Sequence, residues 1–148
     1  MPLLSKTSIG AGLRPDQLEV LVNRADVRSI ASGESVLSRH DTEFPLMVLL
    51  SGEAEVRGLF GNGVSLLKPG ALIGEIAWLD HDPRTADVIA RTDAQVAVFP
   101  VDLLEKLDLE APDLTAQLLY NVSKVLCSKL RWAQRLIDAQ DAIDYPDR

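Results

Sequence analysis

Cysteine is almost missing from this chain of 148 residues, where Cys127 stands alone. A single thiol can form neither an internal disulfide nor a multi-cysteine zinc site. Histidine is nearly as scarce, and His40 and His81 are too few and too far apart for a metal cluster. Basic residues are in deficit as well: 15 Lys and Arg against 22 Asp and Glu leave a formal charge of −7. That field repels phosphate backbones, so the expectation is no nucleic-acid partner and no anionic membrane surface. An anion can be held only in a locally built pocket. No apolar run approaches the ~18 residues of a membrane span. Met1 to Lys6 hold no charged stretch leading into such a run, so no signal peptide is expected. These absences lead to the expectation of a soluble, cytoplasmic protein.

What is present reads as one domain. Hydrophobic residues make up 47% and charged residues 25%, the balance of a globular chain with a real core. Pro15 opens a short amphipathic helix over 15–24, in which Leu18, Leu21 and Val22 share a face. Short β-rich pieces follow at 27–31, 35–38, 46–50, 53–59, 64–67, 86–91 and 95–99. Turn signals separate them, among them Ser32-Gly33, Ser51-Gly52, Gly61-Asn62-Gly63 and Pro69-Gly70. Many short strands at this spacing predict an antiparallel sandwich or barrel, read here as a jelly roll. After Pro100 the period lengthens. A brief helix is expected over 101–107, and Pro112 opens a long one to about Ile137. Leu114, Leu118, Val122, Val125, Leu126, Leu130, Ala133 and Ile137 repeat in it at three- and four-residue steps. Such a helix is roughly 38 Å long, more than one small β domain can cover, so its stripe is expected to reach a partner. Cys127 is expected to be a small buried hydrophobe on it. The polar remainder, 138–148, is expected to fray.

One segment interrupts the strands, running from Gly70 to Ala86. Gly74 lets backbone approach a ligand closely, and Glu75 to Leu79 can form one helical turn whose first N–H groups suit a phosphate. Ten residues on, Arg84 offers a fixed guanidinium for two phosphate oxygens, followed by the hydroxyl of Thr85. Glu75 can accept from a neutral donor such as a sugar hydroxyl.

This segment resembles the phosphate-binding cassette of the cyclic nucleotide-binding domain family. The resembling residues are Ile73-Gly74-Glu75-Ile76-Ala77, Pro83-Arg84-Thr85-Ala86 and Val88-Ile89-Ala90. Ser32-Gly33-Glu34, Val48 to Val56 and Leu67-Lys68-Pro69-Gly70 extend the likeness upstream. The resemblance implies a mainly β fold with flanking helices. The implied fold is an antiparallel jelly-roll barrel with a short N-terminal helix, a cassette helix and a long C-terminal helix. It divides the chain into an N-terminal extension (1–12), a cyclic nucleotide-binding domain (13–138) and a polar tail (139–148). It implies Arg84 on the cyclic phosphate, Glu75 on the ribose 2′-hydroxyl, and backbone N–H groups near Gly74, Ile76, Ala77 and Thr85 at the same ligand. The ligand would be cyclic GMP or cyclic AMP, with no other cofactor and no metal. The sequence departs from the family pattern at His40-Asp41, where a glycine often stands, and at Trp78 and His81-Asp82.

Enzyme readings find no support, because neither a nucleophile–histidine arrangement nor a carboxylate pair stands out. About eleven residues follow Ile137, too few for a helix-turn-helix. The expectation is therefore a stand-alone sensor that signals to an effector protein or to a second copy through its C-terminal helix. The alternative is a ligand-free scaffold acting through that helix. Trp132 and Tyr120 can serve as a lid over a bound base or as packing contacts.

Overall fold

In the computed structural model, residues 4–58 and 64–144 are described. The centre of the fold is β3 (Leu46–Ser51), whose Leu-Met-Val-Leu-Leu run shows no polar alternation. A strand of that composition needs apolar cover on both faces. Leu46, Val48 and Leu50 face one cluster, and Met47 and Leu49 the other. β3 belongs to a sheet with β1 (Asp26–Ile30), β8 (Ala94–Phe99) and β6 (Leu72–Ile73), in the order β1-β8-β3-β6. The second sheet is β2-β7-β4-β5, built from Ser35–Leu37, Ala86–Ala90, Ala54–Gly58 and Val64–Leu67. All pairings are antiparallel.

Between the sheets, Leu37, Ala54, Val88 and Ala90 meet Met47, Leu49, Ile73, Val96 and Val98. Helices cover the other face of the first sheet. Leu21 of α1 (Pro15–Asn23), Trp78 of α2 (Glu75–Asp80), Leu103 and Leu107 of α3 (Leu103–Glu110), and Leu114, Leu118 and Val122 of α4 (Pro112–Asp144) pack there with Val48 and Phe99. Leu4 and Ile9, on two short 3-10 turns, join the same cluster. The buried Asn121 amide ties that end down, donating to the carbonyls of Ile9 at 2.9 Å and Ala11 at 2.8 Å. The β3–β4 turn depends on Gly52, at φ +81°, because a Cβ there would lie 2.3 Å from the Asp93 carbonyl oxygen.

Several expectations are corrected. Among the described residues the ladders form two separate four-stranded sheets, not a closed barrel. β6 has only two residues, too few for an alternation to register, and its pairing with Met47 and Val48 defines it. The brief helix starts two residues later than expected and runs to Glu110. α4 continues through Asp144, 33 residues or about 50 Å, so 138–144 is helical where fraying was expected. Cys127 is exposed. It follows Leu126, which packs on the core, and one helical step of about 100° turns it outward. The expected turn at Gly61-Asn62-Gly63, the end of the fourth strand at Leu59 and the tail beyond Asp144 lie outside the described residues.

Candidate functional site

Gly74 connects β6 to α2 in a left-handed conformation, with φ +79° and ψ 17°. A Cβ at this position would stand 2.4 Å from Arg84 Nη1 and 3.2 Å from Leu37 Cδ2. Backbone sign and neighbouring guanidinium therefore both require glycine. As N-cap, Gly74 offers no side-chain acceptor, and the N–H groups of Glu75, Ile76 and Ala77 have no partner within α2. Trp78 anchors the helix, buried in the core against the first sheet. His81 ends it, also left-handed at φ 61°. Pro83 then leads into Arg84, one turn of chain before β7.

Arg84 is packed away from water, its side chain 3% exposed. Nη1 donates to the Gly74 carbonyl at 3.4 Å and Nη2 to the Pro45 carbonyl at 3.2 Å. Asp41 Oδ2 lies 3.8 Å from Nε, and the Phe44 ring centroid is 5.4 Å from the guanidinium carbon. Nε itself is buried without a hydrogen-bond partner. Burial pushes the guanidinium below its ordinary pKa, while the charges of Asp41 and Glu75 oppose that shift. It stays a cation, since arginine does not deprotonate in proteins. A buried cation held by two neutral carbonyls and a distant carboxylate has capacity left for an anion.

Glu75, only 2% exposed, is the buried carboxylate of α2. Lys129 of α4 donates its Nζ to Glu75 Oε1. Around these groups lies a cavity of about 850 Å³, and all six residues singled out from the sequence line it: Gly74, Glu75, Ile76, Ala77, Arg84 and Thr85. Apolar side chains of the second sheet (Leu37, Val56, Leu67, Val88), of β6 (Leu72, Ile73) and of α4 make most of the remaining wall. The volume lies in the range of small-molecule sites, which combine apolar walls with a few convergent polar groups.

Sequence reasoning did not identify Lys129, Ser65 or Ser128 as cavity residues. By type alone Lys129, a lysine on a long helix, reads as a solvated residue. Yet it stands three residues after Leu126 and four before Ala133, on the face those two present to the cavity. That phase was the available signal. Trp132 lines the cavity with its side chain half in solvent. Tyr120 is not among the lining residues and lies beside Lys124, 5.7 Å from ring centroid to Nζ.

A β sandwich that gathers a buried arginine, a buried carboxylate and a glycine turn around an apolar cavity is a small-ligand binding module. Residues 27–109 match the family model of the cyclic nucleotide-binding domain, and the chain belongs to that family. The cAMP-dependent protein kinase regulatory subunit of Aspergillus niger is 32% identical over 111 residues, 72% of this chain and 25% of that protein. Glutaminase 1 of Bradyrhizobium diazoefficiens is 27% identical over 135 residues, covering 91% of this chain and 22% of the enzyme. A CRP-like cAMP-activated global transcriptional regulator of Mycobacterium tuberculosis is 22% identical over 150 residues, 99% of this chain and 65% of its own. The chain thus spans about a quarter of the first two relatives and less than two thirds of the third. Among solved structures, a cyclic nucleotide-binding domain from Methylobacillus flagellatus superposes with a TM-score of 0.82 at 21% identity, over 94% of this chain and 80% of that one. The Thermus thermophilus catabolite activator protein gives 0.77 at 23%, over 91% and 63%. At those identities the likeness concerns the fold.

Proposed function

We propose that the chain senses a cyclic purine nucleotide, cyclic AMP or cyclic GMP, and is a regulatory binding module without catalysis of its own. In this reading the two sheets are the halves of a double-sheet jelly roll, and 13–138 is the ligand-binding unit. Arg84 neutralises the cyclic phosphate, and the N–H groups at Glu75, Ile76 and Ala77 serve the same oxygens. Glu75 accepts from the ribose 2′-hydroxyl. Thr85 donates to the phosphate and accepts from the 2-amino group of a syn guanine, which adenine lacks. The observation that carries this reading is the buried Arg84 guanidinium, with one nitrogen unpartnered, beside a buried carboxylate on one apolar cavity.

Binding would shift the population of α4 positions, and α4 would pass the change to an effector or a second copy. Its exposed Leu130, Trp132, Leu136 and Ile137 support that part of the reading. Calorimetry with cyclic AMP and cyclic GMP is the direct test, and no heat with either removes the proposal in favour of a ligand-free scaffold. In competition assays Thr85→Ala is expected to cost cyclic GMP a few-fold to about tenfold more than cyclic AMP, the worth of one neutral hydrogen bond. Equal losses would assign Thr85 to the phosphate alone.

A further inference from the structure

We infer that Lys129 is a positioning residue that latches α4 to Glu75 in the nucleotide-free protein, and that the ligand's ribose hydroxyl takes its place. This deepens the cyclic-nucleotide reading and rests on it. The two partners stand 54 residues apart, one on α2 and one on α4. Their exposures differ sharply: Glu75 is 2% exposed and the Lys129 side chain 46%. A carboxylate so deeply buried needs a donor at all times. The bonds that Arg84 makes through its terminal nitrogens go to the Gly74 and Pro45 carbonyls, so its charge reaches Glu75 only through space. A half-exposed ammonium, in contrast, returns to water at little cost. When one partner has to move, Lys129 is the one that can. A hydroxyl arriving on Glu75 then replaces a charged donor with a neutral one and frees the lysine.

Position along α4 gives that exchange a consequence. Leu126, Leu130 and Ala133 flank Lys129 and line the cavity beside it. These neighbours are apolar, so among the described residues the ion pair is the directional tie between this stretch of α4 and α2. Releasing it loosens the stretch that any lid or partner contact would use.

The test compares wild type, Lys129→Met and Lys129→Arg by amide exchange and by calorimetry. Without nucleotide, Lys129→Met is expected to speed exchange across 124–134 while the β core keeps its protection, and Lys129→Arg to restore the wild-type pattern. Unchanged exchange in Lys129→Met overturns the latch. With cyclic AMP or cyclic GMP, Lys129→Met is expected to bind about tenfold tighter or more, because in the free variant the buried Glu75 carboxylate lacks a donor that the ribose hydroxyl then supplies. The 2′-deoxy analogue should show no such gain, since it brings no hydroxyl to Glu75. Weaker or equal binding of the ribonucleotide, or an equal gain for the deoxy analogue, overturns the exchange of partners. A wild type that binds neither nucleotide overturns the nucleotide reading instead, and the amide measurement still decides whether Lys129 holds α4.

Discussion

At the scale of single residues, Arg84 joins fold and ligand, and the two contributions separate by measurement. Its guanidinium ties the β2–β3 loop at Pro45 to the Gly74 turn. Arg84→Ala is therefore expected to weaken nucleotide binding by about 1.5–3 kcal/mol, through loss of a charged hydrogen bond. It should also lower the melting temperature of the free protein, because two carbonyls lose a donor. Arg84→Lys should recover only part of the affinity, since an ammonium lacks the planar fork. Calorimetry and thermal unfolding on the same samples check both. Asp87 is the second case. The Arg39 backbone N–H donates to it at 2.8 Å and Nε at 3.0 Å. These bonds hold its carboxyl below the ordinary value, the backbone bond foremost. The folded pKa thus lies under the unfolded one, near 3.9. The resulting stabilisation is complete above the unfolded value and disappears as pH falls through the folded one. Urea midpoints of wild type and Asp87→Asn should differ at pH 7 and converge in strong acid.

At the scale of elements, α4 is two helices in one. Leu114, Leu118 and Val122 are fully buried, whereas Leu130, Leu136 and Ile137 are mostly exposed. Leu118→Ala is expected to cost about 2–5 kcal/mol in denaturant unfolding, as for a cavity in a packed core. The sequence showed one continuous stripe along this helix, because periodicity reports which face is apolar and not where the covering domain stops. The same reasoning explains what else was legible. β3 and β8 stood out through apolar runs, α1 through Pro15 and its phase, and the cassette through glycine, acid and arginine at fixed spacing. β6 stayed hidden because a two-residue strand has no period. Cys127 was misplaced because its small apolar type suggested burial, whereas its phase, one helical step past the core-packed Leu126, turns it outward. Lys129 was missed since a lysine on a helix is ordinarily solvated. Only the fold brings it to Glu75, which has no other side-chain donor among the described residues.

At the scale of the whole molecule, the apolar far end of α4 calls for a second surface. Light scattering is expected to report a dimer that Leu136→Glu returns to monomers, with little change in unfolding midpoint, because Leu136 is 52% exposed and lies outside the core clusters. A monomeric wild type would leave only an effector protein as the recipient of α4. Sheet order has a consequence of another kind, for the birth of the chain. β1 and β3 never touch as a pair; β8 lies between them and bonds to both. A ribosome delivers the chain from Ser51 to Phe99 in about 2–10 s. Throughout that interval the most apolar strand of the protein has been made and its principal partner has not. The nascent chain must carry Leu46 to Leu50 without this longer neighbour, with only the two residues of β6 to pair with, until about two thirds of these 148 residues are made. Any holdase that tends this protein at the ribosome has its task set by that one late strand.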